Sequence, residues 1–484
     1  MLKLNDPALL ETRAYVNGEW IETGRTFAVF NPATGDKIAD VTDLGVDDVS
    51  RAIDKAYDAR ASWAAKTGKE RGAVLRKWFD LILENADDLA TILTAEMGKP
   101  LAEAKGEILY GASYVEWFAE EAKRIYGDVI PGHQPDKRIV VLKQPVGVVG
   151  SITPWNFPNA MIARKVAPAL AVGCTFVARP AELTPLSALA MAVLGERAGL
   201  PQGVFNVIPS IDASAIGKEL CANPKVAKIT FTGSTRVGKI LMEQGAATIK
   251  KVSMELGGNA PFIVFDDADV DAAVEGALIA KYRNAGQTCV CANRIYVQSG
   301  VYKEFSEKLS KRVAALSVGD GFQDGVAIGP LINEAALSKV EAHLSDAIAK
   351  GARIATGGQR HALGGTFFQP TVVTDVNRSM IVQHEETFGP IAPLFEFETE
   401  DEAVELANDT EFGLAGYFYS KDISRVWRVA ERLETGMVGI NTGLISTEVA
   451  PFGGVKQSGQ GREGSKYGAD DYLELKYMCF GEIH

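Results

Sequence analysis

Cys289 stands in the segment YRNAGQTCVCANR, and a thiol becomes a strong nucleophile once it is ionised and reachable. Gly286, Gln287 and Thr288 lead into it from a long helical stretch, small and polar text that leaves the Cys289 backbone N–H able to point at a developing oxyanion. Taken alone, a cysteine more often fills space in a core. Asn156 lies in TPWNFP between Pro154 and Pro158, which stiffen the loop after a predicted strand, and its amide can supply a second donor; its plain reading is a turn residue. Glu255 in MELGGNAP closes a short strand and precedes two glycines that let the backbone turn and approach a ligand. A carboxylate there can act as a general base, although alone it reads as a solvated loop acid. In FTGSTRVG, Gly233 and Ser234 sit at a strand-to-helix junction whose N–H groups and hydroxyl suit a phosphate.

Two other patterns carry no such chemistry. Residues 459–464 (GQGREG) satisfy GxGxxG but follow Gly-rich text outside any strand–helix–strand unit. Asp267, Asp269 and Asp271 imitate the start of a calcium loop, yet Ala272 and Leu278 occupy its sixth and twelfth positions; these acids suit a helix N-terminus instead. A cysteine hydrolase without redox chemistry would need a base near the thiol, and His133, His343, His361, His384 and His484 fall in no recognisable pairing with Cys289.

A frame has to bring these scattered residues together. Strand-like runs at 148–153, 175–179, 204–208, 228–232 and 261–265 alternate with helical text, which means βαβ units and a parallel sheet. Ahead of them, NPATGD at 31–36 reads as a turn between short strands, the chain from Asp47 is largely helical, and 137–149 is strand-like with Pro145 interrupting. Val270, Ala273, Val274, Ala277 and Leu278 form one apolar helix face behind Asp269 as N-cap, and that helix runs toward Cys289. A second α/β stretch covers roughly 290–445, and the closing DYLELKYMCF alternates as a strand, with Leu473, Leu475, Tyr477 and Cys479 on one side, that calls for a partner.

With 484 residues, 46% hydrophobic and 23% charged, the chain can fill more than one core. Its 50 Lys and Arg against 62 Asp and Glu leave −12, which repels nucleic acid and anionic membranes. Five cysteines without framework spacing suit a reducing compartment. The opening MLKLNDPALLETRAYVNGEW holds no apolar run fit for a secretory leader, and no long apolar span occurs, so the expected location is cytoplasmic.

PWNFP, FTGST, ELGGNAP, GQTC, EETFGP and PFGGVKQSG occur in the order and approximate spacing of the NAD(P)-dependent aldehyde dehydrogenase superfamily, which the sequence resembles over nearly its whole length. YRNAGQTCVCANR, NTGLIS and REGSKYG…DYLELKYMC extend the resemblance to the succinate-semialdehyde dehydrogenases. The resemblance implies an α/β fold with a Rossmann-type cofactor domain (1–122 and 146–257), an α/β catalytic domain (258–467) and a β oligomerisation flap (123–145 and 468–484), assembled as a homodimer or homotetramer.

It further implies Cys289 as nucleophile, Asn156 with the Cys289 N–H as oxyanion donors, Glu255 as base for thioester hydrolysis, and Lys165 and Glu463 as a supporting polar relay. The cofactor would meet Ile152, Thr153, Pro154, Trp155, Gly233, Ser234, Glu386 and Phe388. Arg179 stands where many relatives have Lys. Glu182 can accept from ribose hydroxyls and repels a 2′-phosphate, while Arg179 offers phosphate a fork; NAD is therefore the preferred cofactor expected, with NADP as the alternative, and no metal. Arg164 and Arg283 match substrate-carboxylate arginines, with Ser446 as hydroxyl partner, which points to succinic semialdehyde, with glutaric semialdehyde or broader specificity as alternatives. Cys291 matches a position that in some relatives forms a reversible disulfide with the nucleophile.

Overall fold

The computed structural model describes residues 2–483, so His484 lies outside the described residues. Val148–Ile152 and Thr175–Arg179 are buried along their whole lengths, and strands apolar on both faces belong in the middle of a covered sheet. They sit there, in an eight-stranded sheet. Its five parallel strands run in the order Lys251–Glu255, Val226–Thr232, Val148–Ile152, Thr175–Arg179, Phe205–Val207. Gly459–Gln460 closes one edge antiparallel, and Ala14–Val16 with Glu19–Ile21 closes the other. The winding reverses between Val148–Ile152 and Val226–Thr232, and a crevice at the carboxyl ends of such strands is where ligands of this architecture bind.

The helical text after Asp47 becomes four helices, Val46–Ala64, Gly68–Glu84, Ala86–Met97 and Leu101–Glu121. Val49, Ala52, Ile53 and Ala56 cover one sheet face together with Ile216, Leu220 and Leu241. Helices Ala160–Val172 and Leu186–Ala198 cover the other, and the remaining three of the four stack outside them in one continuous core.

A second sheet of seven strands holds Ala260–Val264 and Ala292–Gln298 at its centre, parallel to each other. Ile391–Phe397 and Ala415–Tyr419 flank them, also parallel. The helix Val270–Tyr282 starts on the Asp269 side chain, which accepts from Ala272 N, and its Ala273, Val274, Ala277 and Leu278 enter the core of this sheet. Asp267 accepts from Ser420 Oγ and the N–H groups of Lys421 and Asp422, and Asp271 pairs with Lys308, so the three aspartates face different partners. GQGREG forms the edge strand Gly459–Gln460 and the stretch beyond it, followed by the short 3-10 helix Tyr467–Tyr472 and by no strand–helix–strand unit.

Arg138–Pro145 continues up to the proline itself, which lies at the strand's end where no further N–H is needed. It pairs with Asp128–Ile130 and, over eight residues, with Leu473–Phe480, forming a separate three-stranded sheet. Among the described residues no helix is long and apolar enough to cross a membrane.

Candidate active site

Segments leaving three first-sheet strands converge on one cleft: Pro154, Trp155 and Asn156 beyond Val148–Ile152, Gly233 and Ser234 beyond Val226–Thr232, Leu256 and Gly257 beyond Lys251–Glu255. Two segments face them from just ahead of second-sheet strands, Cys289 before Ala292–Gln298 and Glu386 to Phe388 before Ile391–Phe397. The cleft thus lies between the carboxyl ends of one sheet and the amino ends of the other, with a volume of about 280 Å³. A second, smaller space is lined by Tyr110, Phe157, Arg164, Arg283, Ser446 and Phe452. Cys289 lines both.

The loop ahead of Cys289 is bent by three consecutive left-handed residues, Asn284 (φ 54°), Ala285 (φ 54°) and Gly286 (φ 77°). A non-glycine residue in that region costs about 1–2 kcal/mol, so the surroundings must hold it. They do so through Asn284 N to Glu103 Oε2 (2.8 Å), Gln287 Nε2 to Asn284 O (3.1 Å) and Ile332 N to Gln287 Oε1 (3.0 Å). Gly286 is required outright, because a Cβ there would lie 2.2 Å from Gly389 O. Asn156 Nδ2 donates to Gln287 O (2.9 Å), tying the amide to the same loop and leaving its second N–H for another acceptor.

Burial pushes the Cys289 thiol up to about 12, with Arg164 opposing and Glu386 and Glu255 adding to it. Glu255 is buried with Oε2 unpartnered, and burial together with Glu463 holds its carboxyl well above the usual range against Arg164 and Lys165. Behind it, Glu463 is an ion-pair partner of both Lys165 and Arg164, the latter at 2.6 Å. Burial would raise Glu463, but those two cations bring it below its ordinary value. Lys165 also donates to Thr232 Oγ1 (2.6 Å), whose residue lines the cleft. Arg164 stacks over Phe452 at 3.8 Å. Arg283 lies 4.8 Å from the centre of the Phe157 ring and makes no ion pair among the described residues. It shares its cavity wall with Ser446.

Ser234 caps the helix Thr235–Ala246, its Oγ accepting from Val237 N, and with Gly233 it lines the cleft, so the positive helix end there suits an anionic group. Thr153 Oγ1 and Arg179 Nε are buried without partners among the described residues, and Thr153, Arg179 and Glu182 line neither cavity. Glu386 Oε1 accepts from Gly258 N (3.2 Å), and burial raises its carboxyl to about 7 against that N–H. Trp155 and Phe388 meet edge to face at 5.7 Å in the cleft wall. Ile152 sits apart from that wall, in the apolar core beneath the sheet. Arg179 and Glu182 pair with each other at 2.7 Å, and Arg179 Nη2 also donates to Ser210 O (2.8 Å). Cys291 is a buried free thiol that donates to Lys281 O (3.3 Å) and lines neither cavity. No histidine lines either cavity among the described residues.

The sequence reading missed Lys99, Glu103, Glu107, Tyr110, Phe157, Asn284 and Phe452. Lys99, Glu103, Glu107 and Tyr110 sit in text whose period marks a helix and nothing more, with GKP at 98–100 as the one local signal near Lys99, while Phe157, Asn284 and Phe452 stand inside PWNFP, YRNAGQTCVCANR and PFGGVKQSG without being singled out there.

The model of the aldehyde dehydrogenase family matches residues 20–478. A glutarate-semialdehyde dehydrogenase of Pseudomonas aeruginosa is 62% identical, covering 100% of both chains. A succinate-semialdehyde dehydrogenase [NADP(+)] of Escherichia coli is 62% identical over 99% of this chain and 100% of its own. The crystal structure of succinate-semialdehyde dehydrogenase from Burkholderia pseudomallei superposes with a TM-score of 0.98 at 62% identity, covering 99% of this chain and 100% of that one.

Proposed function

The chain belongs to the aldehyde dehydrogenase family, and from that premise we propose that it oxidises an aldehyde with a distal carboxylate, succinic semialdehyde first, to the acid. One observation carries the reading: Cys289 borders both the cleft of about 280 Å³ at the strand ends and a smaller space holding Arg283, a guanidinium without a carboxylate partner among the described residues, beside Ser446. A short aldehyde whose far end meets Arg283 presents its carbonyl to Cys289. Glutaric semialdehyde is the second reading, since one methylene changes such a fit by only about 1–3 kcal/mol and a relative is named for that substrate.

Cys289 Sγ adds to the carbonyl carbon as its proton passes to the Glu255 carboxylate and from there to solvent, which frees Glu255 for the later hydrolysis. The free N–H of the Asn156 amide and the Cys289 N–H then hold the oxygen that becomes negative, each worth about 3–4 kcal/mol when removed. A nicotinamide dinucleotide held by Trp155, Gly233, Ser234, Glu386 and Phe388 supplies the two-electron acceptor when bound. Glu255 takes a proton from the water that cleaves the thioester, and Lys165 and Glu463 set the charge behind it.

Glu182 occupies the Arg179 fork, which favours NAD, whereas the Escherichia coli relative is named for NADP(+). We propose use of both, with Glu182 setting the balance. Assembly through the three-stranded sheet and a reducing, cytoplasmic setting that keeps Cys289 a thiol complete the reading.

The test is a panel of aldehydes crossed with both dinucleotides, on the native enzyme and on Arg283→Ala. Truncation is expected to raise KM for succinic semialdehyde by about tenfold to a hundredfold, a loss of one charged hydrogen-bonding partner, while butanal changes little. Equal effects on both aldehydes would remove the carboxylate pocket.

A further inference from the structure

Lys99 is buried, its side chain 1% exposed, on the turn between the helices Ala86–Met97 and Leu101–Glu121. A buried ammonium survives only with its donors satisfied. Its Nζ donates to Glu107 Oε2 at 2.6 Å and to Asn156 O at 2.7 Å, and lies 3.8 Å from the centre of the Phe157 ring. Glu107 is equally enclosed, its side chain 0% exposed. Its other oxygen accepts from Asn159 N (3.0 Å) and Ala160 N (3.2 Å), the first turn of the helix Ala160–Val172. One ion pair therefore grips the loop 156–160 at both ends: the cation at the carbonyl of Asn156, the anion at the amides of Asn159 and Ala160.

We infer that Lys99 and Glu107 are positioning residues that hold the Asn156 side-chain amide at the site facing Cys289. The Asn156 peptide is fixed from one side by Lys99 Nζ and from another by Asn284 Nδ2 (3.1 Å), so its side chain leaves in a set direction and meets Gln287 O. An oxyanion donor acts only when it is in place before charge develops, and a displacement of about 1 Å can cost on the order of a hundredfold in rate. The turn that carries Lys99 is itself immobilised. Gly98 adopts φ +89°, and added Cβ atoms at Gly321 and Gly329 would lie 2.5 Å from Lys99 O and 2.2 Å from Gly98 O. Neither member of the pair lines the cleft or the smaller cavity, so their effect passes through Asn156. This inference rests on the oxyanion role given to Asn156 above.

The test is a double-substitution cycle on the full-length enzyme with Lys99→Met, which keeps an unbranched stem and removes the ammonium, and Asn156→Ala. Lys99→Met is expected to lower kcat about tenfold to a hundredfold, while the dissociation constant for the dinucleotide, read from protein fluorescence, stays within about twofold. In the Asn156→Ala background the same substitution should cost less than about threefold, because the group it positions is gone. Glu107→Gln, which retains an acceptor for the helix amides, gives a second cycle with the same expectation. Losses that multiply in both cycles, or an unchanged kcat in Lys99→Met, overturn the inference and leave Asn156 as it was. If Asn156→Ala itself turns over normally, the oxyanion role falls and this inference falls with it.

Discussion

Cys289, the proposed nucleophile, sits where its surroundings favour the thiol over the thiolate. Burial and the carboxylates of Glu386 and Glu255 favour the thiol, and Arg164 alone among the named charges favours the thiolate. Since a raised pKa means that the ionised fraction at neutral pH is small and grows tenfold per pH unit, alkylation of Cys289 by iodoacetamide in enzyme free of dinucleotide should accelerate steadily from pH 6 to pH 9. Peptide mass spectrometry resolves it from the exposed Cys479. A rate that levels off near pH 7 would show a thiolate already held in the resting site. The same residue shows where reading the sequence stops. GQTC, ELGGN and PWNFP single out Cys289, Glu255 and Asn156 in the sequence, and the fold places Cys289 and Asn156 in the cleft wall with Glu255 buried just behind Leu256 and Gly257. That Arg164 is bound to Glu463 while Arg283 is free was not legible: both are arginines near a motif, and only the packing of Phe452 and Glu463 tells them apart.

At the scale of elements, hydrophobic period and turn residues sufficed for the strands 148–153, 175–179, 204–208, 228–232 and 261–265, each of which forms within two residues of its expected bounds. Such strands are buried by both faces, so their composition alone declares them. The connections between elements were less legible. The left-handed run Asn284–Ala285–Gly286 bends the nucleophile loop through hydrogen bonds to Glu103 and Ile332, remote in sequence, and no local pattern announces it. Gly98 is the second such place. At φ +89° it ends the helix Ala86–Met97, and a Cβ would meet Pro330 Cγ at 2.7 Å and Pro32 Cγ at 2.8 Å. Gly98→Ala is therefore expected to destabilise the fold by about 2–5 kcal/mol, the sum of left-handed strain and overpacking. A lowered urea midpoint with an unchanged slope is the measurement, and an unchanged midpoint would mean that the two prolines yield freely. The turn also carries Lys99, so kcat should fall in the fraction that remains folded.

At the scale of the whole molecule, the three-stranded sheet is the part that the two cores do not explain. Leu473–Phe480 pairs along one side with Arg138–Pro145 and leaves its other side open, an eight-residue edge with no partner among the described residues. Leu475 is 70% exposed and Tyr477 60%, and Val129 on the far strand reaches 82%. An open edge of that length with exposed apolar side chains is what monomeric proteins shorten, charge or cover. At its root this strand is tied to the site: Ser253 Oγ donates to Asp471 Oδ2 (2.9 Å) and Lys251 pairs with Glu474 (3.2 Å), both on the strand that ends in Glu255. A second copy seated on the edge would brace that strand as well as hide the apolar face. Light scattering is expected to give two or four times 51.9 kDa at micromolar concentration, and Leu475→Lys with Tyr477→Lys should reduce that mass by placing like charges opposite one another across the joined edges. A native chain that runs as a monomer under those conditions would show that the edge is solvated as it stands, and Glu255 would then be held by the subunit's own contacts alone.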